Sequence, residues 1–347
     1  MEGDFLIAGQ GLAGSLLADS LRKKGASVII ADPSHEITSS TIAAGILHPI
    51  TGRRIVKTWM ADQLIPFAIE TYNNIDPALF NRMNILELFT SVQQRNEWMN
   101  KSADDSMKLW MGTIIASQQK IKGIQIPFGA IEIKNTGWLD VKKLVYHFNN
   151  FFIKKNIYIK DEVKEEDLQI SEDSVQWKDV KVRKVIFCNG YRAAFKGMFS
   201  YLPFVPARGE IMEIHCDGLD QSSVFNRGIY IIPIGDEKFK VGATFDWENL
   251  AEVPTDEGKE FLVNAVDKVI ALPYTITSQS AAVRPANKDR RPFIGMHHQH
   301  KTIGIFNGLG TKGAMLAPYF AKHFADHLVD GIPLMKDVSI ERYRKLL

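Results

Sequence analysis

Three glycines, Gly9, Gly11 and Gly14, follow the apolar run Phe5-Leu6-Ile7-Ala8 and open a helical stretch that Gly25 ends. This spacing suits a diphosphate. Gly9 permits the tight turn out of a buried strand, Gly11 lets backbone approach a pyrophosphate, and Gly14 lets the helix pack closely on the strand. Leu12 and Ala13 stand at the helix start, where unpaired N–H groups and the partial positive charge of the helix end hold an anion without a cationic side chain. Ser27 to Ala31 reads as a second strand. Asp32 at its tip is placed to accept hydrogen bonds from ribose hydroxyls and to disfavour a 2′-phosphate. Glycines alone would only mark a turn; strand, glycines, helix, strand and acid in this order point to a dinucleotide. The pattern by itself does not separate FAD from NAD.

A similar element closes the chain. Ile303-Gly304-Ile305-Phe306 leads through Asn307-Gly308-Leu309-Gly310-Thr311-Lys312-Gly313 into a helix that reads through Leu328, so helix-end N–H groups can again be turned toward a cofactor. Between the two lie other groups able to do chemistry. Ala43-Ala44-Gly45 are small enough for backbone to lie against a flat ring, and His48 beyond them faces a pocket or packs on the cofactor. His297, His298 and His300 sit in a polar loop with no carboxylate or cysteine at ligand spacing, so no metal site is expected. The charged run Asp161 to Asp167 reads as a solvated turn.

The elements that must position these groups come in alternating blocks. Helices are expected over Thr58 to Tyr72, from Gly137-Trp138-Leu139-Asp140 through Phe152, and over Glu257 to Leu272. Strands are expected at Ile85 to Phe89, Ile131 to Ile133 and Ile157 to Ile159. Val185-Ile186-Phe187-Cys188-Asn189-Gly190 is an apolar strand of the kind that returns to a parallel sheet, whereas Glu210 to His215, Gly228 to Ile234 and Lys238 to Phe245 suit an antiparallel one. At 347 residues the chain has room for about two domains. Its 42 Lys and Arg against 40 Asp and Glu give a net charge of +2, too small to imply a polyanionic partner. Cys188 and Cys216 lie in apolar runs, as buried thiols of a reducing compartment do. No apolar stretch reaches membrane-spanning length and the fingerprint begins at once, so no removable signal, no membrane and a cytoplasmic location are expected.

Taken together, these blocks resemble the FAD-dependent amino-acid oxidoreductases, the family of glycine oxidase, D-amino-acid oxidase and sarcosine oxidase. The resemblance runs nearly end to end. It rests on the fingerprint with Asp32, Ala43-Ala44-Gly45, Gly137-Trp138-Leu139-Asp140, Phe187-Cys188-Asn189-Gly190, Pro206-Ala207-Arg208-Gly209-Glu210, Tyr230-Ile231-Ile232-Pro233, Val241-Gly242-Ala243-Thr244, Arg284-Pro285 with Asp289-Arg290-Arg291-Pro292-Phe293-Ile294-Gly295, and the closing glycine turn. The chain is also similar to the oxidase domain of the bifunctional tRNA 5-methylaminomethyl-2-thiouridine biosynthesis enzyme, including a short basic segment, Arg342-Tyr343-Arg344-Lys345-Leu346-Leu347. A methyltransferase half is not expected.

The resemblance implies an α/β fold: a Rossmann-like FAD-binding domain (1–80, 137–203 and 281–347) with a second α+β substrate domain built on an antiparallel sheet (81–136 and 204–280). It implies non-covalent FAD, since neither cysteine falls where sarcosine oxidases attach theirs. The residues implied to hold it are Gly9, Gly11, Leu12, Ala13, Gly14, Asp32, Ser40, Thr41, Ala43, Ala44, Gly45, Val163, Asn189, Gly190, Gly308, Gly310, Thr311, Lys312 and Gly313. The implied chemistry is oxidation of the C–N bond of a small amino acid or N-substituted glycine by hydride transfer to flavin N5, then imine hydrolysis. Arg284 matches the family's carboxylate-binding arginine, although an Arg in this setting also suits a structural ion pair. Tyr230 matches the pocket tyrosine, Lys312 lies near the flavin pyrimidine edge, and Lys240 stands where sarcosine oxidases use a lysine in the reaction with oxygen. The same chemistry would remove a carboxymethyl group from a tRNA wobble uridine; the near-neutral charge favours the small substrate.

Overall fold

The amino-terminal apolar run forms the strand Glu2–Ala8 in a sheet whose parallel strands stand in the order Tyr158–Ile159, Val28–Ala31, Glu2–Ala8, Val180–Phe187 and Ile303–Asn307. Phe293–Met296 adds an antiparallel edge, and a hairpin of Val175–Trp177 and Leu168–Ile170 pairs with the early half of Val180–Phe187. That long strand shows why its sequence reads as it does. Val180 and Val182 are buried while Lys181 and Arg183 are exposed, as in a sheet wet on one side; Val185, Ile186 and Phe187 are all buried where Ile303–Asn307 joins it. The helix Leu12–Lys23 packs against Val141–Lys154 and Gly313–Asp330, burying Leu16, Leu17, Ala18 and Leu21.

The computed structural model describes residues 1–51 and 54–346, and the chain divides into two units. The first, just described, comprises Met1–Ala43, Val141–Ala207 and Val283–Leu347; the second comprises Ala44–Asp140 and Arg208–Ala282. The second is built on a sheet in the order Thr275–Arg284, Ala207–His215, Lys238–Gly242, Tyr230–Gly235, Val224–Asn226, Ile85–Leu88, Ala130–Ile133, Met111–Ile115. Val224–Asn226 runs parallel to Ile85–Leu88, so the sheet is mixed rather than purely antiparallel. These two strands come from distant stretches of chain, and no hairpin imposes opposite directions on them. The helix Asp256–Val266 covers one face, burying Leu262 and Val266 with Leu86, Met212, Ile214, Phe225, Ile231, Phe239 and Val241.

Residues 44–80, expected with the dinucleotide-binding segments, group with the second unit. Ile46–Leu47 and Phe80–Arg82 flank Gly137–Leu139 in a small antiparallel sheet, which is why Gly137-Trp138-Leu139 is strand and the helix begins only at Val141. The helix expected from Thr58 starts at Ala61, and the one expected through Leu272 ends at Val266.

Candidate active site

All the parallel strands of the first unit end at one edge of the sheet, the edge where open α/β sheets bind ligands. There the chain turns at Gly9, at Asp32, at Asn189 and Gly190, and at Gly308. Gly9 has φ +105°, and a Cβ on Gly14 would stand 1.9 Å from the Gly9 carbonyl oxygen. A Cβ on Gly11 would come 2.9 Å from Ser40 Oγ, which accepts a hydrogen bond from the Leu12 N–H at 3.1 Å. Ser40 therefore lies over the helix start, in a turn that Thr41 closes by accepting the Thr38 N–H at 2.8 Å. Ala13 and Gly14, next in the helix, have N–H groups with no acceptor within it. Asp32 accepts the Gln10 N–H through Oδ2 and the Ser34 N–H through Oδ1, each at 2.7 Å, and a carboxylate has lone pairs left for two more donors. A glycine cradle, open helix-end donors and a pre-oriented acid fit an adenine dinucleotide.

Two asparagines that sequence reading passed over tie this edge together. Asn307, 2% exposed, donates to the Gly190 carbonyl at 2.8 Å and accepts the Gly308 N–H at 2.8 Å. Asn287 donates to the carbonyls of Gly308 and Arg291, each at 2.7 Å. An Asn between a buried strand and a glycine is the signal that marks Asn307. Gly310, Thr311 and Lys312 form a short 3-10 turn ahead of the helix that starts at Gly313. Burial, with help from the Arg290 charge, pulls the Lys312 ammonium down to about 8, and burial pulls Arg284 down to about 10, which leaves it charged at neutral pH. Val163 is part of the core with Leu6, Ala8, Ile29 and Phe187. The basic carboxy-terminal segment is partly inward: Arg342 Nε pairs with Asp289 at 3.0 Å and the Tyr343 hydroxyl donates to the same carboxylate at 2.7 Å. Leu347 lies outside the described residues.

The second unit brings a different set together. Alternation along its strands puts Glu87, Asn226, Tyr230 and Lys240 on the sheet face opposite the Asp256–Val266 helix, since their neighbours Leu86, Phe225, Ile231 and Phe239 pack under that helix. The His48 ring lies 6.1 Å from the Tyr230 ring, and its Nε2 is 3.8 Å from Glu87 Oε2. Asn226 donates to the same Glu87 oxygen at 2.7 Å. Burial and the Glu87 charge hold the Tyr230 phenol well above its ordinary pKa, so it remains a hydroxyl donor. Glu87 and Asn226 were not anticipated from sequence, because nothing in a single strand tells which of its polar residues meets a residue from another block. Gly45, expected to lie against a ring, has a nearer cause: its φ is +70°, and a Cβ would stand 1.9 Å from the Leu139 carbonyl. Ala44 precedes it at the start of the same unit.

Other sequence features are structural. Arg208 and Glu210 form a buried ion pair; Glu210 also accepts the Thr255 N–H at 3.0 Å and the Gln279 amide at 2.6 Å, fixing the start of the Asp256–Val266 helix. His297 Nδ1 accepts the N–H groups of Gln299 and His300 at 3.3 Å, and burial with two neighbouring histidines lowers its pKa to about 4. The charged run near Asp167 is less solvated than expected: Glu165 is half-buried and accepts the Met198 N–H at 2.7 Å. Cys188 and Cys216 are buried free thiols. Among the described residues no helix is long and apolar enough to cross a membrane.

The model of one family, DAO, FAD dependent oxidoreductase, matches residues 4–327. The tRNA 5-methylaminomethyl-2-thiouridine biosynthesis bifunctional protein of Legionella pneumophila (strain Lens) is 23% identical over 316 residues, 84% of this chain and 45% of that protein. The chain spans about half the length of the bifunctional relatives it matches, 45% to 59%. Among solved structures, iminodiacetate oxidase from Chelativorans sp. BNC1 superposes with a TM-score of 0.78 at 22% identity, covering 98% of both chains. Glycine oxidase from Geobacillus kaustophilus gives 0.81 at 14% identity, covering 99% of this chain and 98% of that one. The α/β architecture, with sheets of mixed and antiparallel type, is that of these oxidases.

Proposed function

The chain belongs to the DAO family of FAD-dependent oxidoreductases, and from that premise we propose that it oxidises the C–N bond of a small amino acid or N-substituted glycine, the resulting imine being hydrolysed. FAD, when bound, supplies the hydride acceptor. In this reading Gly9, Gly11, Leu12, Ala13 and Gly14 hold the diphosphate at the helix start and Asp32 takes the adenosine ribose hydroxyls. Ser40, Thr41, Ala43, Ala44, Gly45, Val163, Asn189, Gly190, Gly308, Gly310, Thr311 and Gly313 line the remainder of the cofactor site. The first unit is then the FAD-binding domain and the second the substrate domain. Lys312 offers positive charge to a developing anion. Arg284 grips the substrate carboxylate, for which its planar fork gives two parallel charge-assisted bonds, and Tyr230 adds a hydroxyl. His48 belongs to the substrate pocket and Lys240 to the reaction with oxygen. Buried free thiols suit a reducing, cytoplasmic setting.

The observation that supports the reading most is the glycine-lined edge at which Gly9, Asp32, Gly190 and Gly308 meet, because it suits a dinucleotide without any cationic side chain. A second reading, demodification of a carboxymethylaminomethyl wobble uridine on tRNA, is favoured by the several bifunctional tRNA-modifying relatives. Salt separates the two. The apparent affinity of a tRNA held through phosphates falls steeply with ionic strength, whereas a zwitterionic amino acid responds weakly. Turnover of glycine or sarcosine that barely changes between low and high salt supports the small substrate. Turnover of modified tRNA alone, lost as salt rises, replaces it with the second reading.

A further inference from the structure

The face of the second unit that bears Tyr230 also holds a buried donor and a buried acceptor aimed at the same spot. The His48 side chain is 5% exposed, and its Nε2 has no hydrogen-bond partner. The Ile50 N–H donates to its Nδ1 at 3.1 Å, so the proton of the neutral ring sits on Nε2. That N–H stands 3.8 Å from Glu87 Oε2, too far for a hydrogen bond. Asn226 holds the same Glu87 oxygen at 2.7 Å and so fixes where the carboxylate points. A buried donor is rarely left without an acceptor, and a zwitterion brings what each group needs, a carboxylate oxygen for the His48 N–H and N–H groups for Glu87.

We infer that Glu87, oriented by Asn226, is the residue that receives the N–H of the substrate amine, and that it selects an ammonium over an uncharged group of the same shape. The inference rests on the reading under Proposed function. A carboxylate only accepts, so it favours a nitrogen bearing protons and a positive charge and gains nothing from an ether oxygen, which has no proton to donate. It also suits the chemistry. An amine arrives as an ammonium and must lose one proton before its lone pair can form the C=N bond as hydride leaves the carbon. Glu87 takes that proton, becoming a neutral carboxyl, and later returns it to water.

The test uses FAD-loaded protein, mixed anaerobically with glycine, sarcosine or 5-carboxymethylaminomethyluridine. The concentration dependence of flavin bleaching gives the dissociation constant and the limiting rate of whichever compound reduces it. Methoxyacetate, shaped like sarcosine but without N–H, is titrated in parallel as a competitor. Glu87→Gln keeps an acceptor for Asn226 but loses the charge. It should weaken amine binding about tenfold to a hundredfold and lower the limiting rate, while methoxyacetate binds as before. Glu87→Asp, which keeps the charge on a shorter stem, should restore part of the preference and serves if the Gln variant does not fold. Loss of amine and methoxyacetate binding together, or an unchanged ratio in both variants, overturns the role of Glu87. If none of the three amines bleaches the unaltered protein, the reading under Proposed function fails and takes this one with it.

Discussion

The two units position their chemistry in different ways. In the first, each turn at the strand ends is made by residues next to one another in sequence, and the parallel sheet collects those turns at one edge. In the second, His48, Glu87, Asn226 and Tyr230 come from separate strands and a loop and meet only because alternation puts them on one sheet face. A site made from strand ends tolerates change in the strands but not at its glycines. A site made on a sheet face depends on register, and one slipped residue would turn the strand members to the other face.

The largest expected effect tests what holds the second register. Glu210→Ala leaves Arg208 buried without its carboxylate and frees the start of the Asp256–Val266 helix, so urea unfolding should show a loss of about 3–5 kcal/mol. Replacing Arg208 and Glu210 together by apolar residues of similar volume should cost much less; equal loss in both variants would deny the pair this role. For the first unit, Gly14→Ala forces a methyl group to 1.9 Å from the Gly9 carbonyl. It should cost about 3 kcal/mol and leave mostly apoprotein. Normal FAD content after that change would mean the helix has room the glycine cradle denies it.

Arg284→Lys keeps a charge and loses the fork. Flavin should stay bound while apparent substrate affinity falls by about 1.5–3 kcal/mol, roughly tenfold to a hundredfold. Unchanged kinetics would leave Arg284 as a structural cation. The smallest effect is on pH. His297 is neutral in the folded chain, with its pKa lowered to about 4 against an ordinary 6.5, so the unfolded chain binds its proton first. Its contribution is complete above about pH 6.5 and is lost as pH falls toward 4, on the order of 1–3 kcal/mol. His297→Asn, which keeps an acceptor near the Gln299 and His300 N–H groups, should remove that part of the acid sensitivity; an identical pH profile would exclude it.

The same contrast explains what could be read from the sequence. Gly9, Gly14 and Asp32 are legible because a turn, a close helix–strand approach and a strand-tip acid each impose a residue type locally. Gly137-Trp138-Leu139 misled as a helix start because its partners, Ile46–Leu47 and Phe80–Arg82, lie more than fifty residues away in sequence and satisfy its backbone as strand. The parallel junction at Val224–Asn226 was equally invisible, since pairing between distant blocks leaves no local mark. Tyr230 was reached only through resemblance, and Glu87 was not reached at all: strand spacing puts it opposite Leu86 and Leu88, but only the fold brings His48 to it.

The central claim, an FAD-dependent oxidation of an amine beside a carboxylate, is tested most directly by watching the flavin itself. Purified protein should be yellow, release intact FAD on heating, and lose its oxidised flavin absorbance when mixed anaerobically with glycine, sarcosine or another small amino acid. A colourless protein that binds NAD and cannot be reconstituted with FAD would contradict the account, as would a yellow one that no amine bleaches.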